Sequence, residues 1–424
     1  MRYIITDFGV RNCDSLQTKE IQAVIDNAFL QGGGTVVVPK GVFLTAALRL
    51  RSNITLYLES GAVLKGSLNP DDYCEYLKDE LEPIDTSKYP ENPRSLNPTS
   101  RWHNSLIKAI DAENVSIIGE PGSFIDGSNV FDEVGEEHYR GPHGIAMHNC
   151  KNLYFEGYTV LHSSNWAHNI QRSENLHFKN VTVYAGHDGI DTFACDNVLI
   201  EDCEFRTGDD CIAGYDNKNV VVRNCLFDSS CSALRYGGTD VLVENCRGIA
   251  PASYGFRGQL TDEEKANNSQ STEHCRHTMH TAFQYYCDFR IEALRNAPGN
   301  IVIRNCDYVN PNTIFMHPFD GEHIWCANRP LDNITYENCR LWGLSLPASL
   351  ITVPEYPLTF KMKNVTISSR EVGADFPIIE AKNCALIDLE NVSVEGFENP
   401  HIVTDNPDCV KVHGGTKIEV IERK

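Results

Sequence analysis

The sequence predicts an all-β fold, a parallel β-helix in which each turn of the chain stacks on the turn before it. Pairs of Asn and an apolar residue recur every 22 or 23 residues, and each pair opens a short segment of alternating apolar and polar residues. This period is too short for a propeller blade or a helical repeat, and the leucine spacing of a leucine-rich repeat is absent. The pairs are Asn152-Leu153, Asn175-Leu176, Asn197-Val198 and Asn219-Val220, and the pattern continues at Asp240-Val241, Asn300-Ile301, Asn333-Ile334, Asn364-Val365 and Asn391-Val392.

The two ends of such a stack need caps, because a terminal coil exposes the open core. Residues 15–31 are predicted to form an amphipathic helix that covers the first coil, with Ser15 as its N-cap and Gly32 to Gly34 as its stop. Residues 410–421 alternate weakly, which predicts a closing strand or tail. The apolar positions at helical spacing are Ile21, Val24, Ile25 and Ala28.

A repeat fold lengthens by adding coils, so we expect residues 1–424 to form a single domain despite their number. Three segments interrupt the repeat and are predicted to be loops that leave one face of the stack, at residues 69–103, 260–286 and 315–329. The second loop holds a group of metal-binding residue types whose spacing matches no common zinc site, so we predict no metal. This group is His274, Cys275, His277 and His280.

Composition narrows the function. The net charge of −21 argues against nucleic acid as a partner, and no apolar run is long enough to cross a bilayer. Because residues 1–7 do not resemble a signal peptide, a cytoplasmic location is expected unless a leader has been removed. Oligomeric state is not readable, and no cofactor is predicted.

The cysteines favour the same compartment. Seven of the 16 are assigned to one repeating position, mostly after Asn, which predicts a ladder of small, buried, reduced thiols instead of disulfides. They are Cys150, Cys203, Cys225, Cys246, Cys306, Cys339 and Cys384.

Three carboxylates mark the candidate catalytic centre. Asp209 and Asp210 are adjacent, and Asp188 precedes Asp210 by one 22-residue period, so all three should lie on one face of the stack. Close carboxylates drive their pKa values apart, which allows one to act as an acid while another acts as a base. The alternative interpretation is that the Asp pair only caps backbone donors at a turn.

These motifs resemble glycoside hydrolase family 28, the polygalacturonases and their relatives, from the N-terminus to about residue 310. Residues 208–211 resemble the family's Gly-Asp-Asp-Cys motif, and residues 187–191 resemble its Asn-Thr-Asp-Gly-x-Asp motif with the first two residues changed. The resemblance implies an inverting hydrolase on a right-handed parallel β-helix, acting on pectin-derived or related oligosaccharides. It makes Asp209 the general acid, and Asp188 and Asp210 the residues that activate water.

The resemblance breaks at two substrate-binding motifs. The family's Gly-His-Gly is replaced by residues 231–233, Cys-Ser-Ala, and its Arg-Ile-Lys is matched best by Arg257 in residues 254–259 or by Arg290, in both cases without the Lys. Arg235 is a candidate replacement for the lost positive charge. Further candidate substrate ligands are His187, Trp166 and His168, for which packing is the alternative interpretation.

Two other functional classes stay open at this point. The same fold could carry a polysaccharide lyase or epimerase, which would need Ca²⁺-binding acids and a base, or a carbohydrate-binding protein without catalysis. The three aspartates favour hydrolysis.

Overall fold

The computed structural model describes residues 1–89, 97–287, 294–319 and 329–423, and nearly all of its regular structure is parallel β-strand. The chain forms two compact units. The first comprises Met1–Gly208 and Tyr254–Cys275, and the second comprises Asp209–Ser253 and Arg276–Lys424. Each unit is a stack of parallel coils, as the repeat predicts, while the single domain stays a prediction.

The first unit has three columns of strands, each pairing with the equivalent strand one coil away. The first column holds β4 (Leu48–Arg49), β7 (Ser105–Ile110), β11 (His143–His148), β14 (His168–Gln171) and β17 (Ile190–Phe193). The second holds β1 (Arg2–Ile4), β2 (Gly34–Val38), β5 (Ile54–Leu58), β8 (Glu113–Gly119), β12 (Lys151–Glu156), β15 (Glu174–Lys179) and β18 (Asp196–Glu201). The third holds β3 (Gly41–Thr45), β6 (Ala62–Gly66), β9 (Phe124–Asp126), β13 (Thr159–Leu161), β16 (Thr182–Ala185) and β19 (Glu204–Thr207). Strand β10 (Phe131–Glu136) lies outside the columns.

The second unit repeats this pattern, with two long strands that run from the first column into the second. These are β20 (Ile212–Arg223) and β22 (Ser232–Glu244). The others are β21 (Leu226–Ser229), β23 (Arg247–Ile249), β24 (Thr281–Tyr285), β25 (Gly299–Arg304), β26 (Asp307–Val309), β27 (Thr313–Pro318), β28 (Asn333–Glu337), β29 (Arg340–Leu344), β30 (Ala348–Ile351), β31 (Leu358–Lys363), β32 (Thr366–Ser369), β33 (Ile379–Lys382), β34 (Cys384–Glu395), β35 (His401–Thr404), β36 (Val410–Gly415) and β37 (Glu419–Glu422). The last two confirm the closing strand predicted for residues 410–421.

Asparagine shapes the start of each second-column strand. Asn152, Asn175 and Asn197, each the second residue of its strand, have φ of 56–59°, a left-handed conformation that Asn adopts more readily than other non-glycine residues. Their side-chain amides form a ladder, because Asn175 donates to Asn152 (2.9 Å) and Asn197 donates to Asn175 (3.0 Å). The recurrent Asn is therefore a backbone requirement of the coil.

The structure corrects the assignment of two residues to this ladder. Asn364 donates to Asn338 (3.0 Å) and Asn391 to Asn364 (3.1 Å), so both lie at the turn before the third column. The coil that follows Asn333 continues instead at Thr359, its partner in the strand register. The coils here have unequal lengths, so the sequence period alone misaligned them.

The cysteine ladder is buried as predicted, but it is shorter. Cys225 and Cys246 donate backbone N–H groups to the sulfurs of Cys246 and Cys306 (3.5 and 3.4 Å). Cys150 and Cys384 lie at a different turn, where Cys150 accompanies Ser173 and Cys384 pairs with Leu358. Within the described residues all cysteines are free thiols.

The N-terminal cap is helix α1 (Thr18–Leu30), which buries Ile21, Val24, Ile25 and Ala28 as predicted. The predicted N-cap is wrong, because the cap position is Gln17 and no side chain caps the helix. Thr18 instead accepts a hydrogen bond from the Ala46 N–H (2.9 Å), which ties the first turn to the first coil. No helix in the described part of the chain is both long and apolar enough to cross a membrane.

The predicted loops are structured to different degrees. Residues 69–103 contain short 3-10 helices, Pro70–Lys78, Thr86–Lys88 and Arg101–His103, and no strand in their described part. The loop predicted at residues 260–286 is too long, because these residues include helix α2 (Asp262–Ala266) and all of β24. The loop at 315–329 likewise begins within β27, and residues 320–328 lie outside the described residues. The remaining 3-10 helices are Ile5–Phe8, Arg257–Gln259 and Pro407–Cys409.

The ladder predicts that Asn175→Ala lowers the free energy of unfolding by about 1–2 kcal/mol, the cost of holding an ordinary residue in the left-handed region. Asn175→Gly should lose less, because Gly adopts this conformation without steric cost. Urea denaturation of the three proteins measures the difference. Equal losses for Ala and Gly would contradict the conformational explanation.

Candidate active site

Asp209 and Asp210 directly precede β20 in the second unit and differ in exposure. The Asp210 side chain is 1% exposed, and its Oδ1 accepts the Ser232 N–H (3.0 Å). Asp209 is half-buried, and its carbonyl accepts the Ser229 hydroxyl (2.7 Å). The pair therefore has one enclosed carboxyl and one that can reach a ligand.

The pKa of Asp210 is raised. Burial, and after it the neighbouring Asp209 carboxylate, raise the pKa of Asp210 to about 6, while Arg235 and Ser232 act in the opposite direction. Asp210 therefore holds its proton to a higher pH than an ordinary carboxyl does. Such a pair can serve acid–base chemistry.

Arg235 lies beside the pair, as the sequence period suggested. It sits on β22 with its Nη1 3.7 Å from Asp210 Oδ2, and its guanidinium stacks on the Tyr286 ring at 4.2 Å. The side chain is 28% exposed. Arg235 can therefore stabilise the ionised Asp210 and still face a ligand.

Sequence reasoning missed three neighbours of the pair. The Cys231 sulfur and one oxygen from each carboxyl lie within 4.8 Å of one another, and the His280 N–H donates to the Cys231 carbonyl (2.6 Å). Arg276 donates to the Ser230 carbonyl (3.1 Å), and it contributes with burial to lowering the pKa of His280. Cys231 follows Asp209 by one period and could have been found, whereas His280 and Arg276 come from an insertion outside the repeat.

The cluster joins three potential metal ligands. Among the described residues, Asp209, Asp210 and Cys231 are the one group of such ligands close enough together to hold an ion. However, burial, and then the two carboxylates, raise the pKa of the Cys231 thiol well above its usual value, whereas a metal needs the thiolate. The His274 and Cys275 side chains have other contacts, with His274 3.5 Å from Glu264.

Asp188 and His187 lie in the first unit, directly before β17. Both are buried, and the Asp188 carbonyl accepts the Ala167 N–H (2.8 Å). His187 packs on the Tyr139 ring at 5.8 Å, and neither of its ring nitrogens has a hydrogen-bond partner within the described residues. Burial, followed by the charges of Arg140 and Arg257, holds its pKa well below the usual range, so the ring is neutral.

The prediction that His168 binds sugar is wrong. Its side chain points into the core between Ile145 and Ile190, where it is 0% exposed. Its ring nitrogens are held by the Tyr158 hydroxyl (2.8 Å) and the Gly189 carbonyl (3.1 Å). Its position is inward because strand side chains alternate, and a buried polar ring in an inward position cannot reach substrate.

Trp166 and Arg257 are also largely enclosed. Trp166 packs against His143 and Phe193, with ring centroids 5.1 and 5.5 Å apart, which favours its packing role. Arg257 is 2% exposed, and its guanidinium donates to the carbonyls of Ser269 (2.6 Å) and Asn129 (3.3 Å). These bonds hold an insertion in place and leave substrate binding by Arg257 a prediction. Arg290 lies outside the described residues.

Comparison with known proteins places the repeat and the Asp pair in a family. The family model for the glycosyl hydrolases family 28 matches residues 35–230, which include Asp188, Asp209 and Asp210. In this region, just under half of its length, the chain is similar to members of that family. A probable polygalacturonase of Vitis vinifera is 28% identical over 262 residues, covering 56% of this chain and 51% of that protein. The chain spans about half or less of the length of the curated relatives that it matches.

Solved structures confirm the fold. The exopolygalacturonase of Thermotoga maritima has a TM-score of 0.65 and 19% identity, covering 93% of this chain and 92% of that one. The family 28 exopolygalacturonase of Yersinia enterocolitica has a TM-score of 0.63 and 17% identity, covering 100% and 79%. At these identities the likeness shows the fold alone, which is the right-handed parallel β-helix implied by the sequence motifs.

The raised pKa of Asp210 predicts a pH-dependent effect of Asp210→Asn on stability. The folded pKa of about 6 exceeds the unfolded value of about 4, so Asp210 stabilises the folded state fully below pH 4 and loses this as the pH rises through 6. The free energy of unfolding of Asp210→Asn minus that of wild type should therefore be roughly 2–3 kcal/mol larger at pH 7.5 than at pH 4. Urea denaturation of both proteins at both pH values tests this, and a pH-independent difference would contradict it.

Proposed function

We propose that this protein hydrolyses glycosidic bonds in pectin-derived oligosaccharides. The proposal is supported by the match of residues 35–230 to the glycosyl hydrolases family 28 and by relatives named as polygalacturonases. The observation that carries it is the Asp209–Asp210 pair, in which an accessible carboxyl adjoins a buried one whose pKa is raised to about 6.

The geometry of the pair suggests separate roles. Asp209 is the half-buried member, so it can approach a glycosidic oxygen and donate its carboxyl proton to it, which leaves the Asp209 carboxylate. Asp210 is enclosed and lies beside Arg235, whose charge favours the carboxylate form of Asp210. With Asp188, one period earlier in the sequence, Asp210 would activate the attacking water, as the family motifs imply.

Inversion of the anomeric carbon is the stereochemistry that the family motifs imply. The closest oxygens of Asp209 and Asp210 are within 4.8 Å, nearer to the spacing of about 5–5.5 Å typical of retaining enzymes than to the larger spacing of inverting ones. The pair therefore acts from one side of the bond, and the water must be held by another group, the role given to Asp188. Proton NMR of the first anomer formed distinguishes the two outcomes.

Covered strands in the first unit support action at a chain end. Lys108, Ala146, Asn169 and Asp191 form a row in the strand register, pointing outward from the core, and all four are buried. Residues of the first insertion cover this row: Lys108 donates to the Pro98 carbonyl (2.6 Å) and the Tyr76 hydroxyl (3.1 Å), and Asn169 contacts His103 Nδ1 (2.9 Å).

Ion pairs fasten this insertion to the first coils. Arg51 lies 2.6 Å from Asp79 and 2.9 Å from Glu82, and it is 1% exposed. A long polysaccharide cannot lie along the covered row, so this face of the first unit is closed to an extended chain. We therefore expect short products to be released from an end of the chain.

A panel of pectic and neutral oligosaccharides tests the proposed reaction. Hydrolysis yields new reducing ends without the ultraviolet absorbance of an unsaturated uronate, whereas a lyase yields both. Binding without either signal would favour a carbohydrate-binding protein and overturn the proposal.

Asp209→Asn should reduce kcat by roughly 10²- to 10⁴-fold, the usual contribution of general acid catalysis, while the protein stays folded. Asp202→Asn is a matched control, because Asp202 occupies an exposed left-handed turn that Asn also favours. It should keep wild-type activity. An Asp209→Asn variant with more than about a tenth of the wild-type rate would remove Asp209 from the acid role.

The enzyme should prefer short oligosaccharides to polygalacturonate, by about tenfold or more in kcat/KM. The covered row excludes long chains, and the net charge of −21 repels a polyanion. Added salt should reduce the ratio of the two kcat/KM values, because it screens the repulsion between the protein and the polyanion. The part of the ratio that arises from steric exclusion should not change with salt. A preference for the polymer at any salt concentration would contradict both causes.

A further inference from the structure

A network of buried hydrogen bonds joins the outward row of the first unit to residues 97–103, which form the cover segment. The Asn169 amide donates to Nδ1 of His103, in the cover segment (2.9 Å), and to Nε2 of His143, on β11 (3.1 Å). The two imidazole rings are stacked with their centroids 6.0 Å apart, and all three side chains are buried. Asn169 therefore links the cover segment to the coils.

The neighbours of Asn169 fix the direction of these bonds. Gln171 donates to Asn169 Oδ1 (3.1 Å), and Oε1 of Gln171 in turn lies 3.3 Å from Nδ1 of His148, which can donate to it. Because the Asn169 oxygen faces Gln171, the Asn169 amide nitrogen presents its two hydrogens to the two histidine rings. His103 and His143 therefore each accept through a ring nitrogen that carries no proton.

His143 lies in surroundings that oppose a positive charge on its ring. Burial holds the pKa of His143 well below its usual value of 6.5, and neighbouring basic groups act in the same direction, while a backbone hydrogen bond with Trp102 opposes them. The basic side chains that face His143 come from four elements, and they are His103 in the cover segment, Lys108 on β7, Arg140 after β10 and His187 before β17.

The acids near this network are paired with arginines or lie on its far side. Asp132 is paired with Arg101 of the cover segment (2.7 Å), and Glu137 is paired with Arg140 (2.9 Å). Asp191 lies one coil beyond β14, on the side away from β11. A positive charge on His143 would therefore meet mainly basic neighbours.

A proton on Nε2 of His143 breaks the network. The added hydrogen points at the N–H of Asn169, and Asn169 can accept it only by turning its amide over, which gives up the bonds to His103 and Gln171. The charged ring is also more stable in water than in this buried position. Both effects favour a state in which the cover segment has left the row, although the ion pair of Arg101 keeps it tethered.

We propose that acid opens the cover segment: a proton on His143 breaks the bonds through which Asn169 holds His103, and the uncovered row then admits longer oligosaccharides. The inference rests on the proposed function and deepens it, by making the preference for chain length depend on pH.

The direction of the pH effect follows from proton binding. In the open state His143 is exposed and has an ordinary pKa of about 6.5, so below this pH the open state binds more protons than the closed one. The closed state is therefore most stable above pH 6.5, and its population relative to the open state falls by about tenfold for each pH unit below that value, until the pKa of the closed state is reached.

Hydrogen exchange of the full-length protein at pH 7.5 and pH 5, corrected for the pH dependence of chemical exchange, measures this opening. Protection of the cover segment, where the Ser100 and His103 N–H groups bond within the segment, should fall by about 10- to 30-fold at pH 5, while that of α1 should not change. His143→Gln keeps an acceptor for Asn169 but cannot be protonated, so it should remove most of this fall. His413→Gln, the same change at an exposed position of β36, should behave as wild type.

Asn169→Asp should reverse the sign of the effect. A carboxylate at this position accepts hydrogen bonds from protonated rings of His103 and His143, so acid should close the cover segment in this variant and raise its protection. Loosening in acid like that of wild type would contradict the role given to Asn169.

Kinetics supply a second readout, the ratio of kcat/KM for a long uronate oligosaccharide to that for a short one. Taking the ratio removes the pH dependence of the Asp209–Asp210 pair, which is common to both substrates. Between pH 7.5 and pH 5 the ratio should rise about tenfold more in wild type than in His143→Gln.

Unchanged protection of the cover segment, an equal loss in His143→Gln, or an equal loss across α1 would each overturn the proposal. A loss of protection without a change in the kinetic ratio would overturn the entry of longer chains. Because hydrogen exchange needs no substrate, acid opening that depends on His143, without turnover of any oligosaccharide, would refute the proposed function and leave the opening of the cover segment standing.

Discussion

The left-handed turn that begins each second-column strand is the constraint on which the structure depends. Asn at these turns takes a backbone conformation that most residues resist, and its amide group hydrogen-bonds the equivalent Asn one coil away. Each turn thus fixes the start of a strand and its register with the neighbouring coil. Since strand side chains alternate, this register also decides which residues, such as Ile170, enter the core and which, such as Asn169, face outward.

The same register sets the positions of the candidate catalytic aspartates. Asp188 directly precedes β17, and the Asp209–Asp210 pair precedes β20, so each is presented at the start of a first-column strand. At the pair, the strand register brings Ser232 and Arg235 to Asp210, and burial then raises its pKa. The coil therefore gives Asp210 a raised pKa by burying its carboxyl beside Ser232 and Arg235. A buried ionisable group lowers the stability of the folded state when it is charged.

The segments that interrupt the repeat bring side chains to positions that the coils alone do not supply. The first insertion covers Lys108 and Asn169, and the segment around α2 brings Lys265 to Tyr139. These segments are docked by hydrogen bonds and ion pairs to the coils, as with Arg257 and Arg51, which are both buried. Family motifs describe the coils and are silent on such segments, so two proteins with the same Asp pair can differ in the sugar that they accept.

The sequence by itself determined the features set by local backbone and by period: the parallel coils, the buried face of α1, and the grouping of Asp210 with Arg235. It failed where coils differ in length, as for Asn364 and Cys150, because a fixed period then misaligns the stack. It could not tell that His168 points inward, since an alternating strand gives its polar residues either face. Only the tertiary structure decided the placing of His280, Lys265 and the buried guanidinium of Arg257. These residues meet their neighbours through insertions, whose docking depends on contacts between residues far apart in the chain.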